Sequence, residues 1–184
     1  MDPIALPNPP LGDDEIALRP FGERDLDRLV EVCNDVAIAH YTFIPAPYSH
    51  ADAELFVSAQ DERRRAGEAI DLAIRDRSDD ELLGATGLRI FRPERASCEI
   101  GYWVAPESRG RGIAPRAVGM LARWALRALP VGVIELTPDV DNRASRRVAE
   151  KAGFELTDGR RETVAKGRRW ELLVYALDDR GPDG

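Results

Sequence analysis

The hydrophobic residues of this chain are spaced for helices in two early segments. Apolar positions recur at helical spacing from about Arg24 to Val36, and again from the Ser49–Asp52 capping box to about Ala66. Between these segments, residues 40–48 contain two prolines and predict irregular structure. The spacing then becomes that of three strands with short polar turns between them, at 69–75, 82–91 and 97–104. Turns this short predict antiparallel neighbours.

Helices and strands alternate in the second half of the chain. An apolar stripe from Ile113 to Ala128 predicts a long helix, with Pro115 tolerated in its first turn. A strand at 131–137 precedes a helix over 142–152, which Gly153 would end in the left-handed region. The remaining strands are predicted at 16–19, 154–157 and 169–177. The predicted order is β-α-α-β-β-β-α-β-α-β-β.

This order predicts an α+β fold with a mixed, mostly antiparallel sheet flanked by helices. The strand-helix-strand passage from 97 to 137 should be a parallel, right-handed crossover. One domain over 15–178 accounts for the pattern. Residues 1–14, with four prolines and no periodicity, predict a flexible N-terminal arm, and 179–184 a short tail.

Composition excludes several classes of protein. A hydrophobic share of 43% is ordinary for a soluble globule. No signal sequence is recognisable, and no window approaches the ~18 apolar residues of a spanning helix, so we expect a cytoplasmic protein without membrane contact. Cys33 and Cys98 lie in apolar segments as buried thiols, and no metal-ligand spacing is present.

The charge is unevenly distributed along the chain. A net charge of −7 argues against a nucleic-acid partner. Residues 105–151, however, contain nine basic and five acidic residues. Such a segment suits an anion site, or else an ordinary solvated helix face, and charge alone does not choose between them.

A glycine-containing turn precedes the long helix, with the sequence Arg109-Gly110-Arg111-Gly112-Ile113-Ala114. Glycines there let backbone N–H groups converge at the positive end of a helix and form an anion cradle, and arginines add forked donors. A purely steric turn is the alternative. The nucleotide P-loop is excluded because no Gly-Lys-Ser/Thr follows, and the dinucleotide fingerprint is excluded because Pro115 replaces its third glycine.

These residues resemble a known family. Arg109-x-x-Gly112-x-Ala114 looks like the Q/R-x-x-G-x-G/A signature of the GNAT superfamily of N-acetyltransferases. The segment 142–154 is similar to the N-x-x-S…E-K-x-G-F unit of its Rim-type branch, the ribosomal-protein amino-terminal acetyltransferases, as are Leu-Arg-Pro-Phe at 18–21, Asp-Leu at 25–26 and Glu-Ile-Gly-Tyr-Trp at 99–103. The resemblance covers nearly the whole domain. It implies the GNAT acyl-CoA N-acyltransferase fold, acetyl-CoA as co-substrate, and no metal.

The resemblance also implies where the co-substrate binds. The strand ending at Val104 and the strand at 131–137 should diverge around the pantetheine arm, which Val104 contacts through its backbone. The pyrophosphate should lie on Arg109, Gly110, Arg111, Gly112, Ile113 and Ala114. Asn142 should face the pantetheine, although a plain helix cap is an equally good interpretation of this residue.

The resemblance implies a particular acid for the departing thiolate. Many superfamily members use a tyrosine at the position of Ala149, which is missing here. The Rim-type branch uses the serine three residues after the asparagine, so Ser145 is the candidate acid, one turn from Asn142 on the same helix face. Alternatively, Ser145 only hydrogen-bonds the helix backbone or the cofactor.

Two carboxylates are candidates for the base. Glu99 belongs to the matched Glu-Ile-Gly-Tyr-Trp block and is slightly favoured. Glu135 lies among apolar strand residues, where burial would raise its pKa. For both, a cross-strand ion pair is the alternative. His40 and His50 are expected to be loop residues.

The acceptor is an amine, either a protein amino terminus or a small molecule, and an acidic chain suits a cation. Residues 41–48 and the hairpin between 157 and 169 should contact it. Homodimers are common in the Rim-type branch, so a homodimer is expected. The rival hypotheses are a CoA-binding sensor or scaffold without turnover, and a nucleotide-dependent transferase that uses the same loop.

Overall fold

A computed structural model describes residues 2–92 and 97–178 of the chain. Its strands form one sheet in the order β1-β2-β3-β4-β5-β7-β6. They are β1 (Ile16–Arg19), β2 (Ala69–Asp76), β3 (Leu82–Arg92), β4 (Ser97–Val104), β5 (Val133–Leu136), β6 (Glu155–Ala165) and β7 (Arg168–Asp178). Its helices are α1 (Leu26–Cys33), α2 (Val36–Tyr41), α3 (His50–Arg65), α4 (Ile113–Ala128) and α5 (Arg143–Ala152).

The pairing of the strands confirms the predicted sheet. Within the described ranges, β4 and β5 are parallel and every other neighbouring pair is antiparallel. The connection between β4 and β5 is α4, as the strand-helix-strand pattern predicts. The α+β class is therefore confirmed.

Two segments differ from the prediction. The predicted first helix, Arg24 to Val36, ends at Cys33, and residues 36–41 form the separate helix α2, which includes the first two residues of the predicted irregular stretch 40–48. Asp35 begins α2 by accepting from the N–H groups of Ala37 and Ile38. The strand β6 continues to Ala165, well past the predicted end at Thr157. Its side chains are mostly exposed, so hydrophobic alternation does not mark it.

The helices cover both faces of the sheet. On one face, α4 packs against β3, β4 and β5 and also contacts α5, and this face contains the larger apolar core. On the other face, α1 and α3 pack around Leu29, Tyr48 and Ala73. The Ser49–Asp52 capping box begins α3, as predicted.

Two buried contacts attach the amino-terminal segment to α3 and to the sheet. Ile4 is 2% exposed, donates to Arg64 O at 3.0 Å and accepts from Arg64 Nη1 at 2.6 Å, so the proline-containing arm is packed at this point. A lone isoleucine outside any periodic run gives no sequence signal for such packing. Asp25 forms a buried ion pair with Arg75 of β2. No helix in the described ranges is long and apolar enough to cross a membrane.

Candidate active site

Strands β4 and β5 separate after a short ladder. Their pairing ends at Glu99↔Glu135, although β4 continues to Val104. On the β5 side, Pro138 lacks the N–H that a longer ladder needs. The expected divergence of these two strands is therefore present.

The separation leaves one edge of β4 open. Ala105 donates to Leu83 O at 2.9 Å, and hydrogen-bonded pairs alternate along an antiparallel ladder. The backbone groups of Tyr102 and Val104 therefore point away from β3 and into the gap. Arg109 Nε donates to the Val104 carbonyl at 3.2 Å, whereas β5 pairs with neither residue. The gap thus offers polar backbone groups to an extended ligand.

The turn before α4 has the backbone of an anion cradle. Gly110 has φ +79° and Gly112 has φ +74°, and a Cβ added to either would meet no heavy atom within 4 Å. Gly112 is the N-cap residue of α4, and no described side chain caps this end of the helix. Ile113 and Ala114 are buried, so only their N–H groups can face a ligand. The uncapped, positive end of α4 is open to an anion.

The two arginines of this turn are already paired. Arg109 Nη2 lies 2.6 Å from Asp35 Oδ1, in addition to its bond with the Val104 carbonyl. Burial alone would raise the pKa of Asp35, but the Arg109 guanidinium and the N–H groups that Asp35 caps hold that pKa below its usual value. Arg111 Nη2 lies 3.4 Å from Asp76. Arg109 therefore braces the turn against α2, which the motif does not reveal.

Helix α5 supplies unpaired positive charge beside the gap. Arg143, Arg146 and Arg147 have no carboxylate within 4 Å among the described residues, and Arg146 Nε is buried without a hydrogen-bond partner there. Asn142 Oδ1 caps the helix by accepting from Ser145 N at 3.0 Å. The capping interpretation of Asn142 is therefore confirmed, and its amide N–H₂ remains available to a ligand.

Ser145 is buried and shares a side-chain hydrogen bond with Tyr102 of β4. Burial raises the pKa of Tyr102 to about 12, and the bond with Ser145 acts in the opposite direction. The pair thus stays protonated near neutral pH. This hydrogen bond joins α5, which carries Ser145, to the open edge of β4, which carries Tyr102.

The two candidate bases share one arginine. Arg161 Nη1 lies 3.4 Å from Glu99 Oε2, and Arg161 Nη2 lies 2.5 Å from Glu135 Oε2. Glu99 also accepts from Thr137 Oγ1 at 3.1 Å. The ion-pair interpretation of both glutamates is therefore confirmed, with Arg161 of β6 as the partner. Sequence patterns give no indication of Arg161, because β6 lacks hydrophobic alternation.

One cavity of about 680 Å³ is lined by Glu99, Tyr102, Asn142 and Ser145. It extends from Asn142 and Ser145, past β4, to the face of the sheet under α1 and α3. The predicted acceptor segment contributes Tyr41, Thr42, Phe43, Ile44, Pro45 and Tyr48. Residues 157–169, the predicted hairpin, do not line the cavity in the described part of the chain. The strand β7 lines it beyond that range, through Trp170 and Leu172.

Both histidines lie outside the centre of this cavity. His40 Nε2 lies 2.8 Å from Arg168 Nη1, and His50 begins α3 near Glu54. Neither lines the cavity within the described ranges. Instead, the structure adds Tyr102 and Asp71 to the cavity. Tyr102 is part of the matched Glu-Ile-Gly-Tyr-Trp block, but nothing in the sequence distinguishes Asp71 from other strand residues.

Comparisons with known proteins agree with this geometry. Residues 15–155 match the acetyltransferase (GNAT) domain. YdaF of Bacillus subtilis, provisionally named a ribosomal N-acetyltransferase, is 27% identical over 94% of this chain and 96% of its own. The structure of Mycobacterium smegmatis RimJ in complex with CoA-disulfide has a TM-score of 0.79 at 23% identity, over 92% of this chain and 84% of RimJ. Spermidine N-acetyltransferase from Vibrio cholerae, in complex with CoA and spermine, has a TM-score of 0.74 at 22% identity, over 90% of this chain and 96% of that one.

A sheet split between two parallel strands, with an uncapped helix at the split, is the arrangement expected for an acyl-CoA-dependent acyltransferase. The chain belongs to the acetyltransferase (GNAT) family, and its relatives support the Rim-type branch. It is an N-acetyltransferase with acetyl-CoA as its co-substrate.

Proposed function

We propose that this enzyme acetylates a primary amine by direct attack on the acetyl-CoA thioester, with Ser145 as the acid. One observation carries the proposal: the open edge of β4 and the Ser145 hydroxyl border the same cavity. An amine that enters from the α1–α3 face meets a thioester in the gap without crossing the sheet. Acetyl-CoA supplies the activated acyl group, and the protein supplies position, hydrogen bonds and protons.

The described residues fit acetyl-CoA along its length. The N–H groups of 110–114 suit the pyrophosphate, because both glycines are open and α4 is uncapped. The open backbone of Tyr102 and Val104 suits the amides of the pantetheine. The unpaired arginines of α5 supply positive charge for phosphate oxygens.

Three tasks remain for the side chains near the thioester: holding the amine, stabilising the carbonyl oxygen and protonating the thiolate. Ser145 is buried at the gap and hydrogen-bonded to Tyr102, which orients its hydroxyl. This arrangement supports Ser145 as the proton donor to sulfur. Tyr102 is a positioning residue for Ser145.

The assignment of Glu99 or Glu135 as base has less support. Arg161 is already the ion-pair partner of both carboxylates. Glu99 lines the cavity and its side chain is 40% exposed, so within this pair it is the better placed to reach the amine through water.

The acceptor is a protein amino terminus or a small-molecule amine. The cavity lies beneath α3 and the 41–48 segment, and the aromatic pair Phe43–Trp170, with ring centroids 5.2 Å apart, lines it. The related structures include RimL, a ribosomal L7/L12 alpha-N-protein acetyltransferase, and a spermidine N-acetyltransferase, so both acceptor classes occur on this fold.

Thiol release from acetyl-CoA tests the proposal, with peptides bearing free amino termini, polyamines and amino acids as acceptors. We expect release with at least one amine and a strong loss in Ser145→Ala. Acetyl-CoA binding without release for any amine would instead support the CoA-binding sensor, which the alanine at position 149 favours. Thermal stabilisation by ATP and not by acetyl-CoA would support a nucleotide-dependent transferase.

A further inference from the structure

Asp71 of β2 lies in the wall of the cavity, on the face of the sheet under α3. The register places Asp71 opposite Gly87 of β3, and Gly87 opposite Gly101 of β4. These three residues form one row across the sheet that ends where β4 and β5 separate. Asp71 is the only one of the three with a side chain.

The glycines of this row make room for the Asp71 carboxylate. A Cβ added to Gly87 would lie 2.0 Å from Asp71 Oδ1, so the carboxylate occupies the space above Gly87. A Cβ added to Gly101 would meet nothing within 4 Å. Since strands are spaced about 4.8 Å apart, the carboxylate lies roughly one strand spacing from the open strand β4. Among the described residues, the space directly above Gly101 is open.

The Asp71 carboxylate is incompletely compensated by the protein. Its side chain is 11% exposed, and Oδ2 is buried without a hydrogen-bond partner among the described residues. Arg63 Nη1 lies 3.6 Å from Oδ2, beyond hydrogen-bond distance. Burial raises the pKa of Asp71, against the opposing effects of Arg89, Arg63 and a hydrogen bond from Gln60. A buried oxygen without a hydrogen bond costs free energy, and a ligand that donates a hydrogen bond to it removes that cost.

The other carboxylates that line the cavity in the described ranges are already engaged. Asp52 completes the capping box of α3. Glu99 is bound by Thr137 and Arg161. Asp139 pairs with Arg168 at 2.8 Å and accepts from Asp141 N–H. Asp71 alone among these four combines burial with an oxygen that accepts no hydrogen bond.

We infer that Asp71 is the binding site for the acceptor's primary ammonium group. The inference rests on the proposed function, since it names the chemistry of the acceptor half of that site. An alkylammonium presents three N–H donors on one carbon stem, so its nitrogen can donate to the Asp71 carboxylate from the open space over Gly101. Held there, the nitrogen adjoins the gap that takes the thioester. Asp71 selects for positive charge as the acceptor enters.

Binding without turnover tests this role directly. Trp103 and Trp170 line the cavity, so their fluorescence reports occupancy. Butylammonium and its neutral analogue 1-butanol are titrated into protein saturated with CoA, which contains no acetyl group to transfer. We expect the wild type to bind butylammonium at least tenfold more tightly than 1-butanol. Asp71→Asn should weaken butylammonium about tenfold or more and leave 1-butanol within twofold.

Two further variants sharpen the experiment. Gly87→Ala places a methyl group where the carboxylate lies, and should weaken butylammonium binding while all the charges remain. Asp61→Asn makes the same charge change on the exposed side of α3, where Asp61 pairs with Arg64 and Arg65, and should leave binding within twofold. Acetyl-CoA affinity should be unchanged in all three variants.

Equal binding of butylammonium by the wild type and Asp71→Asn overturns the inference, as does a wild type that does not prefer butylammonium to 1-butanol. These outcomes do not depend on thiol release. If no amine releases thiol but butylammonium binding still requires Asp71, the proposed function fails and the cation site stands. If thiol release occurs with equal butylammonium binding, the proposed function stands and the cation site fails.

Discussion

Arg161 Nη2 lies 2.5 Å from Glu135 Oε2, and this ion pair joins strand β6 to β5, one of the two strands that separate. The side chains of both residues are about four-fifths buried, at 21% and 17% exposure. The Glu99 carboxylate, 3.4 Å from the same guanidinium, is 40% exposed. The two glutamates therefore share a partner but differ in how far water screens them.

We expect Glu135→Gln to lower the free energy of unfolding by about 1.5–3 kcal/mol, the range for hydrogen bonds to charged groups. Glu99→Gln should cost about 0–1 kcal/mol because its pair is screened. Urea unfolding measures both. Glu162→Gln, which breaks the exposed pair with Arg169, is the control and should be close to wild type. An equal loss in Glu99→Gln and Glu135→Gln would contradict this ranking.

The cradle before α4 makes a prediction about acetyl-CoA affinity. Gly112→Val forces a branched residue to φ +74° and places its side chain where acetyl-CoA is expected to contact the protein backbone. The Kd for acetyl-CoA should therefore rise at least tenfold. Isothermal titration measures this. Gly167→Val is the matched control, because Gly167 has φ +71° and open space at the distant β6–β7 turn. It should lose comparable stability and keep wild-type affinity.

Ser145→Ala should lower kcat about 100-fold or more, the usual range for losing a general acid, with the Kd for acetyl-CoA within a few-fold of wild type. Tyr102→Phe removes the hydrogen-bond partner of Ser145 and should cause a smaller loss in kcat. Because burial raises the pKa of Tyr102 to about 12, its hydroxyl stays protonated, and the loss should be constant between pH 6 and 9. A loss that changes tenfold across this range would refute the positioning role.

The buried pair Asp25–Arg75 should be essential for stability. Their side chains are 1% and 5% exposed, and Asp25 also accepts from Gly22 N–H at 2.9 Å. Asp25→Ala leaves the Arg75 guanidinium buried without its carboxylate and should cost about 3–5 kcal/mol. Thermal unfolding with denaturant titration checks this. Asp27→Ala, at a fully exposed carboxylate two residues away, should change little.

Asp71→Asn should stabilise the protein at neutral pH while it weakens the binding of a cation. Burial raises the pKa of Asp71 above the unfolded value of 3.8, so the wild type loses stability as pH rises from 3.8 toward the folded pKa, and the loss is complete above the folded pKa. Below about pH 3.8 the side chain is protonated in both states and the difference should vanish. Unfolding free energies of both proteins between pH 3 and 8 test the sign. If Asp71→Asn were less stable than the wild type by the same amount at pH 7 and at pH 4, this expectation would be contradicted.

Much of the fold follows from local patterns. The Ser49–Asp52 capping box, the α4 stripe and Gly153 each set an element boundary through contacts within a few residues. The length of strand β6 cannot be predicted in this way, because its mostly exposed residues show no hydrophobic alternation. Helix α2 cannot be predicted either, because a single capping carboxylate determines where it begins.

The site divides in the same way. The glycine turn and the Asn142–Ser145 spacing are contiguous, so the sequence reveals them. The partners Asp35, Arg161 and Asp71 come from 16 to 74 residues away along the chain, and only the sheet register and the helix packing bring them to the site. Long-range pairs of this kind leave no trace in the spacing of a single sequence.

The close approach of Asp71 and Gly87 has an evolutionary consequence. Because a Cβ at position 87 would lie 2.0 Å from Asp71 Oδ1, a relative that acquires a side chain at 87 must move or shorten the residue at 71. The two positions should therefore covary across the family. Relatives with glycine at 87 and aspartate at 71 should accept cationic amines, and those that have lost both should have turned to acceptors of another charge.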